Sequence, residues 1–285
     1  MAYNEESSNV ELIIANALKL PGVKVNRKKF LVEKFGDKLS SDKIATLIDK
    51  GPLEAGISTD KIYRMASSHI DKRTLQSSSA SFVAELPGGA TVFATIPADT
   101  LQFFGVTLRL SQELAYLFGY EDFWEDEEID LERVRSELIL FLGVMFGVGG
   151  AAATLKVISS KMAQQALKKL PRKALTKTLI YPSVKKIATL IGAKMTKDTF
   201  ARGVSKIIPV VGGVVSGGLT YTSMKKMGKR LRDTMYETLD YSRQDFQQDM
   251  NDIKKEMPDV IDAEFEELED QIEDEFEDNQ PKVSD

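Results

Sequence analysis

Asp99, Arg109 and Glu113, on one apolar segment, are the nearest this sequence comes to a grouped set of functional side chains. Arg109 and Glu113 are four residues apart, so on a helix they meet across one turn and pair. Asp99 follows Pro97 by two residues, where a carboxylate complements the free N–H groups of a helix start. The simpler reading is a helix cap plus a structural ion pair. The sharper one is a polar cluster inside a groove, where an apolar setting would pull the pKa values of acid and base apart. His69 is the only histidine, and it shares a helical stripe with Ile62, Met65, Ala66 and Ile70. A lone histidine cannot form a multi-histidine metal site, and its expected role is structural. The chain has no cysteine, which excludes disulfides, thiolate metal sites and thiol nucleophiles.

Other chemistry is mostly absent. Glu121, Asp122, Glu125, Asp126, Glu127 and Glu128 surround Trp124 without the register or central glycine of a calcium-binding loop, so they read as a solvated acidic loop. Trp124 among them suits either an interfacial anchor or a core-closing role. The Gly-rich stretches at 147–150 and 212–218 lack the Gly-Lys-Ser/Thr of a phosphate cradle. No catalytic, cofactor-binding or metal-ligating set follows from the sequence, no cofactor is expected, and the chain reads as lacking evident catalysis.

Charge is partitioned along the chain far more sharply than the net −5 suggests. Lys156 to Arg232 carries 18 Lys/Arg against one acidic residue, Asp198, whereas Asp233 to Asp285 carries 20 Asp/Glu against 4 Lys/Arg. The basic block interleaves its charges with Met162, Leu167, Leu170, Leu175, Leu179, Val184, Ile187 and Leu190. Basic amphipathic helices of this kind suit anionic lipid surfaces, with ~1 kcal/mol available per basic group. Lys168, Lys169, Arg172, Lys173, Lys177, Lys185 and Lys186 are the candidate lipid-facing residues. The aromatics Tyr181 and Phe200 are too few for single-strand stacking, and no helix-turn-helix signature is present, so sequence-specific nucleic-acid binding is not expected.

The elements that must carry these residues read as helices throughout. Helix signals begin at Ser8-Asn9, Ser41-Asp42, Thr59-Asp60, Pro97 and about Leu131, with stops at Pro21-Gly22, Gly51-Pro52 and Gly119. Leu138–Leu155 and Ile207–Met224 are each runs of 18 uncharged residues. As unbroken helices each would reach about 27 Å, at the threshold between a buried helix and a membrane span. Gly143 with Gly147, and Gly213 with Gly217, have the spacing that lets helix backbones approach closely, and a Gly-rich turn between two short helices is the competing reading. After Asp233 the apolar residues thin out to Phe265, Leu268, Ile272 and Phe276, a narrow stripe on an acidic helix suited to weak docking.

Four segments together resemble the EcsC family: Ser79-Ala-Ser-Phe-Val-Ala-Glu-Leu-Pro-Gly-Gly, Ile96-Pro-Ala-Asp, Gln112-Glu-Leu-Ala-Tyr-Leu-Phe-Gly-Tyr and Ile208-Pro-Val-Val-Gly-Gly-Val-Val-Ser-Gly-Gly. Their order is also similar to that in the helical domain attached to some bacterial GTPases, although no GTPase motif occurs here. The resemblance implies a bacterial protein linked to membranes and transfers no functional residue.

The resulting expectation is an all-α protein: a compact multi-helix domain with Gly-rich apolar hairpins and a charged C-terminal helix. Its divisions are a helical N-terminal region at 1–75, an EcsC-like domain at 76–235 and an acidic tail at 236–285. The expected role is binding an anionic membrane surface, with a protein partner for the acidic tail as a further expectation. The alternatives are a soluble cytoplasmic interaction module, or an enzyme acting on an apolar small molecule. The polar, acidic N-terminus lacks signal-peptide features, so a cytoplasmic, non-secreted protein at the inner membrane face is expected.

Overall fold

The computed structural model describes residues 2–78, 96, 98–124, 131–160, 179–194 and 215–261, with helical pieces at 265–266, 269–270 and 272; the side chains of 2–8, 38, 97–99, 131, 194 and 215–222 fall outside that description. Among the described residues every regular element is helical. Among the described residues the ten α-helices are α1 (Ala2–Ala17), α2 (Arg27–Phe35), α3 (Ser41–Lys50), α4 (Thr59–Ser78), α5 (Ala98–Leu117), α6 (Leu131–Phe146), α7 (Ala151–Ser159), α8 (Tyr181–Lys194), α9 (Val215–Glu237) and α10 (Arg243–Glu256). Short 3-10 turns follow α2 and α10, at Gly36–Lys38 and Pro258–Val260.

Helices α5 and α6 form the centre. Helix α5 packs on α1, α2, α4, α6 and α9, and α6 packs on α5, α7, α8 and α9. Leu138, Leu140, Phe141, Leu142 and Met145 of α6 are fully buried. The 138–145 part of α6, apolar on all sides, must be covered on all sides, and here protein supplies the cover. The contacts of α4 with α9, α1 with α8 and α7 with α10 run across the motif boundaries near 75 and 235.

Several local starts and stops differ from the sequence reading. Helix α1 begins at Ala2 rather than after Ser8-Asn9. Helix α2 lies between the Pro21-Gly22 stop and the Ser41 start, and the Asn26 side chain caps it by accepting from Lys29 N at 2.7 Å. Its buried Arg27 donates Nε to Tyr120 O at 2.9 Å and Nη1 to Ile48 O, tying the ends of α5 and α3 to one guanidinium. A cation at helix C-termini is favourable because the last carbonyls carry partial negative charge.

The uncharged run 138–155 is not one helix. It breaks at residues 147–150 into α6 and α7, so the 18-residue length is shared between two shorter elements. Among the described residues no helix is long and apolar enough to cross a membrane. Gly143 does serve close packing: a Cβ there would lie 2.5 Å from Ile187 Cγ2 on α8 and 3.0 Å from Ala151 Cβ. Gly147 lies outside the helix rather than within it. It stands just past α6 at φ +64, a conformation costly for most side chains, and faces the guanidinium of Arg230. Arg230 Nη1 in turn donates to Met145 O at 3.1 Å and caps α6. Gly213 and the side-chain surroundings of Gly217 lie outside the described residues.

The acidic C-terminal segment is more firmly seated than a narrow stripe suggests. Helix α10 starts with a capping box, in which Asp245 N donates to Ser242 Oγ and Ser242 N donates to Asp245 Oδ2. Its Phe246, Met250 and Ile253 are buried, as are Met257, Phe265 and Ile272 beyond it. Leu268 and Phe276 lie outside the described residues.

Candidate functional site

The predicted pair on α5 proves to be part of a larger cluster. Glu113 is fully buried, and its carboxylate accepts from four donors. Arg109 Nε, one turn away, donates at 3.0 Å. Arg73 on α4 donates Nε at 2.7 Å and also Nη2, while His69 Nε2 lies 2.7 Å away. Arg109 Nη1 also donates to Gly22 O, so the cluster joins α4, α5 and the turn after α1. The side chain of Asp99 lies outside the described residues. Neither His69 nor Arg73 was assigned to this cluster from sequence, since α4 is placed beside α5 only by the fold.

The electrostatics define what the cluster can do. Burial alone would push the Glu113 carboxyl up, but hydrogen bonds from His69 and Arg73 more than reverse this and hold it at about 2. Burial pulls His69 below its ordinary 6.5 in spite of the neighbouring carboxylate. The neutral ring therefore uses an Nε2–H to reach the ionised, acceptor-only Glu113, which leaves Nδ1 as an acceptor; that atom is buried without a partner among the described residues. Phe30 meets the ring edge-on, with centroids 5.4 Å apart. A carboxylate ionised throughout the neutral range and a histidine held neutral exchange no proton near pH 7. In this arrangement the cluster acts as a strut between two helices.

Trp124 closes the core. Its Nε1 donates to Gln112 Oε1 at 2.9 Å, and Lys24 Nζ lies 4.5 Å from the ring centroid. Gln112 also accepts from Val25 N at 3.2 Å and donates to Val23 O at 3.1 Å, which pins the 23–25 segment to α5. No group of three or more His, Asp or Glu able to hold a metal ion is gathered among the described residues.

The second cluster lies where the basic and acidic blocks meet. Lys156 at the C-terminal end of α7 reaches Asp249 at 2.8 Å and Glu237 at 3.2 Å. Asp249 is buried on α10 and also accepts from Tyr241 Oη at 2.8 Å. Burial pushes Asp249 above the usual carboxylate range, offset in part by hydrogen bonds from Lys156 and Tyr241. Burial also lowers Lys156, but the hydrogen bond and charge of Asp249 outweigh it and leave the ammonium above its ordinary value. On α8, Lys186 Nζ lies 2.5 Å from Asp259 Oδ2. Of the seven candidate lipid-facing residues, Lys186 is thus held by the acidic segment, Lys185 is exposed, and Lys168, Lys169, Arg172, Lys173 and Lys177 lie outside the described residues. Tyr181, one turn before Lys185 on α8, is 52% exposed.

The glycines of the 147–150 turn complete this contact. A Cβ at Gly149 would fall on the Glu256 carboxylate and lie 3.4 Å from Glu256 Cβ, and one at Gly150 would lie 2.7 Å from Met257 Cε. Bare backbone at the α6–α7 turn makes the notch in which the end of α10 sits. No protein-family model, curated protein or solved structure matches this chain.

Proposed function

We propose that this protein is an EcsC-like, membrane-associated helical protein without evident catalysis that binds anionic lipid at the bilayer surface through its basic block. The observation that carries this reading is the charge partition, 18 basic residues against one acidic residue over Lys156–Arg232. Exposed Tyr181 and Lys185 on one face of α8 add the pairing of an amphipathic ring and a cation that suits a headgroup layer. Surface association fits a chain in which no described helix is long and apolar enough to cross a membrane.

The test is flotation with neutral and anionic vesicles at low and high salt, with a structured RNA as competitor. Binding restricted to anionic vesicles and weakened by salt is the expected result. Indifference to lipid charge defeats the proposal, and RNA binding without vesicle binding would reassign the block to non-specific phosphate recognition.

A further inference from the structure

We infer that the surface beneath the C-terminal segment, formed by the 147–150 turn, Lys156 and Lys186, is a second lipid-facing surface, and that residues 243–260 act as its reversible cover. The inference rests on the lipid-binding reading above. Its grounds are the chemistry of what the cover touches. Carboxylates of Asp249 and Asp259 on the cover occupy the ammonium groups of Lys156 and Lys186, the same kind of cation that an anionic headgroup would engage. In the turn between α6 and α7 the apolar Val148 is buried, Glu256 lies against Gly149, and the buried Met257 lies against Gly150. Polar pins at Lys156 and Lys186 therefore hold an apolar plug at the glycine turn. Headgroup phosphates at a bilayer compete for the pins, and the acyl boundary competes for the plug. One encounter thus weakens both parts of the contact.

A chain without cysteine offers a direct test. Gly149→Cys combined with Glu256→Cys places two Cβ atoms 3.4 Å apart, close to the ~3.5–4.5 Å of a disulfide. Gly149 is not in the left-handed region, so it accepts a side chain once the glutamate is gone. Oxidised protein has the cover locked, and reduced protein has it free. Asp259→Asn weakens the Lys186 pin independently, at a carboxylate that is 69% exposed. The expected result is that the reduced protein binds anionic vesicles about tenfold more tightly than the oxidised form, as release of the lysines predicts. The pin variant should bind more tightly than wild type, and wild type should ignore the oxidant. Equal binding by the oxidised, reduced and pin-weakened proteins, with wild type still binding, overturns the cover and leaves the lipid reading intact. Failure of all forms to bind anionic vesicles at low salt overturns both.

Discussion

His69 Nε2 lies 2.7 Å from a carboxylate oxygen of Glu113, and both side chains are buried between α4 and α5. The carboxylate also anchors two arginines, so its charge is the one that holds the cluster together. Glu113→Gln should cost about 3 kcal/mol, the low end for breaking a buried ion pair, because Arg73 and Arg109 are partly exposed and regain water. Urea denaturation measures this. A loss below about 1 kcal/mol would mean the arginines do not depend on the carboxylate.

The same pair sets an acid dependence. His69 is held below 6.5 in the folded chain, so the unfolded chain gains a proton first and stability falls as pH drops below 6.5. Glu113 is depressed from 4.5 to about 2, so its contribution is whole above 4.5 and is lost as pH falls toward 2. His69→Gln should flatten the profile just below pH 6.5 while leaving the steeper fall below 4.5. An unchanged slope in the upper window would place its origin elsewhere.

At the α6–α8 crossing, Gly143→Ala puts a methyl group against Ile187 and should cost about 1–3 kcal/mol by overpacking. Adding Ile187→Ala should recover part of that cost, giving a non-additive double-mutant cycle. Gly147 fails for a different reason: its positive φ tolerates Asn better than Val. Equal losses for Asn and Val at position 147 would contradict the turn assignment.

Gln112→Leu would leave Val25 N and Trp124 Nε1 without the oxygen both use. A cost of about 1–3 kcal/mol is expected. Trp124 is the only tryptophan, so its fluorescence reports the site directly. A red-shifted, more quenchable emission should accompany the destabilisation. Unaltered emission would show that the ring is held by its packing rather than by the amide.

Helix type was legible because most apolar positions recur at spacings of three and four. The starts at Ser41, Thr59 and Pro97 were marked by residues whose side chains or ring geometry favour a first turn, and the start at about Leu131 by the end of the acidic loop. Helix α2 carries no start signal among those named from sequence, although Asn26 caps it and its buried Arg27 donates to carbonyls from two other elements. The Arg109–Glu113 pair was readable from its i, i+4 spacing. His69 and Arg73 were not, since they lie 44 and 40 residues from Glu113 and local spacing carries no such information. Gly143 and Gly147 share one sequence pattern but have two physical roles, because a four-residue spacing does not show whether the second glycine is inside the helix or just past it.

The order of segments along the chain gives the 147–150 turn a history. The ribosome makes α6 and α7 before the segment that fills their turn, and at roughly 5–20 residues per second the intervening ~100 residues take about 5–20 s. Through that interval the newly made hairpin has neither Met257 over Gly150 nor Asp249 on Lys156. A chaperone or a bilayer surface near the exit tunnel would therefore meet a side of the hairpin that the finished protein keeps covered.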